Sequence, residues 1–302
     1  MRQNTPLVSV LIPAYNHQDY VQETIKSIIN QTYKNIELII IDDGSKDNTW
    51  QKIQELKYAC QKRFKNFVSE TKQNEGTAKT LNKLLAKAKG KYVYIIASDD
   101  ISSPKAIEKE LDFLEKNPSY TLAVGDNAII DSEGKQCYWN KERNIIYDKQ
   151  QAKYLTFAAF LQEDCKIDFK SEKFGNYKQL YLGNHIPNGY LIRKDILDKI
   201  PPFTDKAPLE DYYLMLQISK YGKMKFLDTV LFFYRWHQNN TIKNNQKIKI
   251  FTKKTRNYEE EIFKDLDEKE ILPEILKIKK IGFLYRKFYL GFVCKIIRRY
   301  FL

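Results

Sequence analysis

The sequence predicts an α/β fold built on a mostly parallel central sheet, and three observations predict it. Apolar runs at 8–12 (VSVLI), 37–41 (ELIII) and 92–96 (YVYII) have the length and composition of strands buried on both faces. Between them lie stretches whose apolar residues recur at helical spacing. A polar turn follows every run, at 13–16, 42–45 and 98–100. In open α/β sheets ligands bind beyond the carboxyl ends of the strands, so these turns are expected to converge on one crevice.

The elements follow in order. Strand 8–12 enters a loop at Pro13, and 19–31 then carries Val21, Ile25, Ile28 and Ile29 on one helical face. Strand 37–41 stops at the turn cluster Asp42-Asp43-Gly44-Ser45. Trp50, Ile53 and Leu56 mark a second helix. The stretch 76–89 places Ala78, Leu81, Leu84, Leu85 and Ala88 together, and a left-handed Gly90 is expected to close it. Strand 92–96 ends at Ser98-Asp99-Asp100. Parallel strands joined by helices imply right-handed crossovers. Further on, Ile107, Leu111 and Leu114 give a helix, 121–130 and 189–193 strands, 211–221 a helix and 226–234 a strand. Residues 133–185, rich in Lys, Tyr and Phe, show no usable period.

Composition narrows the class. Of 302 residues, 43% are hydrophobic, which excludes general disorder. The net charge of +13 is concentrated at the end: 241–302 holds 16 basic and 8 acidic side chains, while the body is nearly balanced. Cys60, Cys137, Cys165 and Cys294 lack metal-ligand spacing and read as reduced thiols of a cytoplasmic protein. The N-terminus has no secretion-signal order, and no run of about 18 apolar residues predicts a spanning helix. Neither GxxxxGK[ST] nor a GxGxxG after the first strand is present, which disfavours P-loop NTPases and dinucleotide-dependent oxidoreductases.

Two acid pairs carry chemistry. Asp99-Asp100 follows a buried strand, and adjacent confined carboxylates need a compensating charge. A hard divalent ion would supply it and would neutralise a diphosphate as well; a solvated helix-capping turn explains the dipeptide equally simply. Glu210-Asp211 opens a helix after Pro208, where acids also suit the helix dipole.

The ordered segments VSVLIPAYN, IELIIIDDGSKDNT, NEGTAKTLNKLLAKAKGKYVYIIASDD, LEDYYLMLQISKYGK and LFFYRWHQNNT resemble glycosyltransferase family 2 over about residues 7–240. The resemblance implies the GT-A fold and an inverting enzyme that uses nucleotide-sugar donors. It implies that Pro13, Ala14 and Tyr15 line the base pocket and that Asp43 accepts the imide N–H of uracil. Asp42 is left to fix the Gly44-Ser45 turn. Asn74 and Gly76 fit the family's donor loop. Where many relatives carry Arg-Asn, this chain has Leu81-Asn82, leaving Lys79 as the nearest cation for the phosphates. Asp99 would hold the ribose or assist the metal, and Asp100 would ligate Mn²⁺ or Mg²⁺. His237 is the candidate third ligand or an ordinary surface histidine. Asp211 would be the general base, with Glu210 supporting the acceptor. His17 is expected in solvent near the donor loop, and His185 is left unassigned.

The tail 277–302 has eight basic residues and no acid among interleaved aromatics, and is expected to lie on an anionic membrane surface; a helix packed on the body is the alternative. Nucleic acid is not expected as a partner, since no nucleic-acid motif accompanies the charge. The division expected is 1–240 for the GT-A domain, with 1–100 nucleotide-binding and 101–240 acceptor-binding, then 241–302 as a basic helical extension. The whole predicts a UDP-sugar transferase acting on a glycan or lipid-linked acceptor in lipopolysaccharide or capsule synthesis, peripheral at the inner face of the cytoplasmic membrane. A degenerate GT-A scaffold protein at the membrane surface is the alternative.

Overall fold

A computed structural model describes residues 5–238 and 240–264. The chain divides after Thr255 into two units, and within the second only 256–264 are described. The tail segment 277–302 lies outside the described residues.

The first half alternates as expected: β1 (Val8–Ala14), α1 (Val21–Ile29), β2 (Ile36–Asp42), α2 (Thr49–Glu55), α3 (Lys57–Arg63), β3 (Asn66–Thr71), α4 (Thr77–Lys87) and β4 (Tyr92–Ile95). Then come β5 (Ile101–Ser102), α5 (Ala106–Lys116), β6 (Tyr120–Ile130), β7 (Gln136–Trp139), β8 (Ile145–Ile146), α6 (Phe157–Asp164) and α7 (Tyr177–Leu182). The described chain finishes with β9 (Tyr190–Arg193), α8 (Lys194–Leu197), α9 (Glu210–Ile218), β10 (Lys223–Arg235), a 3₁₀ turn at Thr241–Lys243 and α10 (Asn245–Lys264).

The sheet order is β3-β2-β1-β4-β9-β6-β10-β5. The first four strands are parallel, β9 runs against both β4 and β6, and β6 and β10 are parallel again. Val8, Val10 and Ile12 of β1 pack on one face with Ile25 and Ile28 of α1 and Ile107, Leu111 and Leu114 of α5. Helix α4 covers β1 and β2 from the other side. Because both faces of β1 and β2 are covered, every residue of β2 is buried, which is why these strands read as unbroken apolar runs.

Three expectations change. One helix near 50–56 becomes two, α2 and α3. An edge strand, β3, appears where none was read, because its residues are exposed or half-buried and lack an apolar run. Gly90 does not adopt the left-handed conformation; α4 ends at Lys87, and Gly90 is small for a steric reason. A Cβ there would stand 2.6 Å from the Ser9 nitrogen, and the Gly90 N–H donates to Ser9 Oγ at 2.8 Å.

This contact belongs to a buried polar knot at the amino ends of the strands. Glu37, 1% exposed, accepts from Ser9 Oγ at 2.5 Å and from the Lys89 N–H at 2.6 Å. Removing the carboxylate strands both donors in the core. Glu37→Ala is therefore expected to cost about 2–4 kcal/mol of stability. Urea titrations of the two proteins check this, and a loss below about 1 kcal/mol would contradict it.

Candidate active site

The carboxyl ends of β1, β2 and β4 carry the loops that the sequence singled out. The Asp43 N–H donates to the Ala14 carbonyl at 2.8 Å, and the Asn16 N–H to Ser45 Oγ at 2.9 Å, so the first two loops are stitched together. Ala14 is buried, Pro13 is half-buried, and Tyr15 stands 41% exposed above them. Asp42 does fix the turn: its carboxylate accepts from the Ser45 hydroxyl and from Thr71 Oγ1, the latter at 2.8 Å.

Asp43 faces the loop before α4. It accepts from the Glu75 N–H at 3.0 Å, from the Gly76 N–H at 2.9 Å and from the Lys72 ammonium. A carboxylate has about four acceptor positions, so one remains on this group. Gly76 sits at φ +90°, a conformation that other residues adopt with strain. Asn74 is exposed beside Gly44. Lys79 points outward, its side chain 57% exposed and 3.9 Å from Glu75. Leu81 is buried in the core and Asn82 is taken up by Phe203, accepting from its N–H at 2.9 Å and donating to its carbonyl at 2.8 Å.

The adjacent acids Asp99 and Asp100 point in different directions. Asp100 turns inward, 2% exposed, and accepts from the Arg235 N–H at 2.9 Å. Burial and the neighbouring Asp99 charge push its carboxyl well above the ordinary value. Asp99 Oδ2 lies 2.9 Å from His237 Nε2 and 3.8 Å from His17 Nε2. Burial alone would raise Asp99, but the hydrogen bond to His237 and the His17 ring hold it below the ordinary value. Asp100 and His237 are expected as ligands of one metal, with Asp99 holding the ribose or assisting; the carboxylate beside His237 is that of Asp99, while the Arg235 N–H holds Asp100 inward.

His17 is a second correction. It is not a solvated residue: its Nδ1 shares a hydrogen bond of 2.7 Å with Ser98 Oγ, which leaves Nε2 facing Asp99. Burial lowers its pKa, so the neutral imidazole is favoured. One ligand atom each from His17, Asp99 and His237 lie within 4.8 Å of one another. Two imidazoles and one carboxylate with open positions suit a divalent transition ion such as Mn²⁺. The Ser98 contact fixes the ring as an outer partner of a ligating histidine does. No periodic signal marks His17; its place directly after the first strand's loop was the available clue.

Asp211 approaches from the other half of the chain. It lies in the first turn of α9, exposed to solvent yet ringed by protein. Its Oδ2 accepts from Asn184 Nδ2 at 3.1 Å and its Oδ1 from the Tyr212 N–H at 2.7 Å. Dense surroundings raise its pKa, while these two donors oppose the shift. Glu210 is pushed up to about 7 by burial, with the charges of Asp211 and Asp205 adding to it. Burial raises the Tyr234 phenol well above the ordinary value, and the charges of Asp100, Asp99 and Asp211 add to the shift.

Residues 9–182 match the family described as Glycosyl transferase family 2. A relative named an uncharacterized glycosyltransferase, from Haemophilus influenzae, is 34% identical over 240 residues, covering 79% of this chain and 68% of its own. One of the same description from Rickettsia bellii is 30% identical over 234 residues, 77% of this chain but 30% of its own, so the chain spans less than a third of that relative. Among solved structures, S. aureus TarS in complex with UDP-GlcNAc superposes with a TM-score of 0.55 at 16% identity, over 82% of this chain and 66% of that one. The mannosyltransferase PcManGT from Pyrobaculum calidifontis, in complex with GDP-Man and Mn²⁺, gives 0.55 at 12% identity, over 84% and 70%. At these identities the two structures speak for the GT-A fold alone. By the family match and the Haemophilus relative, the chain belongs to glycosyltransferase family 2 and is a transferase enzyme.

Proposed function

We propose that this enzyme is a metal-assisted inverting transferase that moves a sugar from a nucleotide-sugar donor, UDP-linked, to a hydroxyl of a glycan or lipid-linked acceptor. The observation that carries this reading is the meeting of His17, Asp99 and His237 at the strand ends. Residues 1–100 hold the donor, 101–240 the acceptor, and 241–302 form the basic extension. The structures of TarS with UDP-GlcNAc and PcManGT with GDP-Man and Mn²⁺ support a donor of this class.

On the donor side, Tyr15 offers an exposed ring to the base, beside Pro13 and Ala14, a contact worth on the order of 1–3 kcal/mol. The remaining acceptor position of Asp43 takes the imide N–H. Asn74, Gly76 and Lys79 border the diphosphate path, and Asp99 adjoins the ribose side. Asp100 sets the turn from within. A divalent ion held by His17, Asp99 and His237 would, when bound, neutralise charge on the departing diphosphate. Asp211 accepts the proton of the acceptor hydroxyl as the new C–O bond forms and the bond to the diphosphate breaks on the opposite face. Its raised pKa gives the carboxylate more affinity for that proton than an ordinary aspartate has. Glu210 orients the acceptor. The aromatic and basic composition of 277–302 supports a place at the anionic inner face of the cytoplasmic membrane, where lipid-linked acceptors reside; no helix among the described residues is long and apolar enough to cross a membrane.

The first test is calorimetric titration of UDP, with GDP and CDP as controls, with and without Mn²⁺. UDP-selective binding that Mn²⁺ strengthens is expected, and a folded sample that binds no nucleotide would favour the scaffold alternative. Asp211→Asn should lower transfer by about 10²–10⁴-fold while leaving the UDP isotherm unchanged; near-native turnover would remove Asp211 as the base. His17→Ala should weaken the Mn²⁺ dependence of UDP binding at least about tenfold, as His237→Ala should. A Mn²⁺ titration unchanged in His17→Ala would leave that residue outside the site.

Glu210 supplies a pH signature. Its pKa is raised in the folded protein from 4.5 to about 7, so its stabilising contribution is complete below the unfolded value and is lost as pH rises through the folded one. Glu210→Gln should therefore match the wild type at pH values about a unit below 4.5 and exceed it by about 1–3 kcal/mol at pH values about a unit above 7. Denaturant titrations at the two pH values decide it; parallel pH profiles would show that Glu210 does not titrate there.

A further inference from the structure

The hairpin β7–β8 carries a cation, packed on the ring of Trp236 next to His237 in the chain, that the reading above does not use. Arg143 lies in its turn with a left-handed backbone, φ +60°, a conformation rare for a side chain of this size. Asn140 enforces it: the Arg143 N–H donates to the Asn140 carbonyl at 3.0 Å, and Asn140 Oδ1 accepts from the Asn144 N–H at 2.9 Å. The guanidinium is half-buried over two aromatic rings, 5.1 Å from the Phe160 centroid and 5.9 Å from that of Trp236. No carboxylate among the described residues lies within ion-pair distance of it. Asp164, the nearest acid in electrostatic terms, accepts instead from the Tyr154 hydroxyl at 2.7 Å.

Its position is what gives this cation a role. Trp236 immediately precedes His237 in the metal-type cluster. Tyr234 lies within electrostatic reach of Arg143 as well as of Asp99, Asp100 and Asp211. The Tyr234 ring itself packs on Trp236, with centroids 6.2 Å apart. A guanidinium that is partly desolvated, unpaired and held over aromatic rings has its five donors available for a planar or tetrahedral oxyanion, and it keeps its charge where a lysine would shift. Lys79, by contrast, is more than half exposed and answers to Glu75.

We infer that Arg143 is a phosphate-binding residue of the transferase cleft, taking a phosphate either of the donor diphosphate or of a phosphate-bearing acceptor. The inference rests on the proposed transferase reading and names a substrate contact within it. An arginine–phosphate pair of this kind is charge-assisted, and its loss is read as about a tenfold to hundredfold change in affinity.

The test uses the full chain with Mn²⁺ and compares wild type, Arg143→Gln and Arg143→Lys in titrations of UDP, uridine and, in the UDP-saturated protein, glycerol 1-phosphate. If the donor supplies the phosphate, Arg143→Gln loses about tenfold or more for UDP, with uridine unchanged. If the acceptor supplies it, UDP binding is retained and glycerol 1-phosphate binding falls by that factor instead. In either case Arg143→Lys recovers part of the loss, and unchanged uridine binding shows that the variants are folded. Identical affinities in wild type and Arg143→Gln for all three probes would overturn the inference while leaving the transferase reading intact. A wild type that binds neither nucleotide nor phosphate would overturn both together.

Discussion

One buried cation organises the cleft. Arg235, 1% exposed at the end of β10, donates through Nε to the Asp99 carbonyl at 2.7 Å and through Nη1 to the Asp131 and Ser132 carbonyls, both at 3.2 Å. Its Nη2 pairs with Glu23 of α1, and its guanidinium lies over the Tyr20 ring. A charge taken out of water is tolerated only when its donors are satisfied, and the fork of an arginine reaches several elements at once. The parallel pairing of β6 with β10 puts Arg235 beside Ile130, so the turn after β6 supplies two of the acceptors. The Glu23 carboxylate balances the charge, and the three carbonyls satisfy the remaining donors, so one side chain ties the loops after β4 and β6 to α1.

The same residue explains why adjacent aspartates differ. The Arg235 side chain holds the Asp99 carbonyl, while its backbone N–H holds the Asp100 carboxylate. With one peptide fixed at both ends, Asp100 must face inward and Asp99 must face the loop of His17. Their titration follows from that split: burial with a like charge beside it raises Asp100, whereas two imidazoles lower Asp99. Asn240, five residues beyond Arg235, closes the turn, donating to the Arg235 carbonyl at 3.1 Å and accepting from the His237 N–H at 2.6 Å. The placement of Asp99 and His237 is thus set by the Arg235 and Asn240 contacts around them.

The first half of the fold was legible because its signals are local. β1, β2 and β4 are buried on both faces and written as short apolar runs, and their polar turns follow at once. The second half is held by contacts far apart in sequence. Trp139, Tyr154, Phe157, Phe160 and Trp236 form one aromatic cluster, with the last of them 76 residues beyond its nearest companion in the chain. No window of 11–18 residues contains that pattern, so β7, β8 and α6 left no period to read. Helix caps in the same region were local: Thr156 Oγ1 accepts from the Ala159 N–H at 3.2 Å and Asn176 Oδ1 from the Gln179 N–H at 2.8 Å. At the site, residue types were readable but directions were not. The sequence placed an acid pair beside His237 without showing which acid turns outward, and it gave no sign that Ser98 would orient His17.

Asp211 illustrates how such a site is tuned by its element rather than by a neighbouring charge alone. The first turn of a helix favours the ionised carboxylate through the dipole and through nearby N–H groups, and the Tyr212 N–H acts in that sense. Every residue from Tyr212 to Ile218 of α9 is buried, however, so the helix is sunk into the protein and Asp211, though it meets solvent, is densely surrounded at its first turn. Desolvation then outweighs the donors and leaves the pKa raised. The two influences serve different ends. Backbone and Asn184 donors fix where the carboxylate points, and burial sets how strongly it holds a proton.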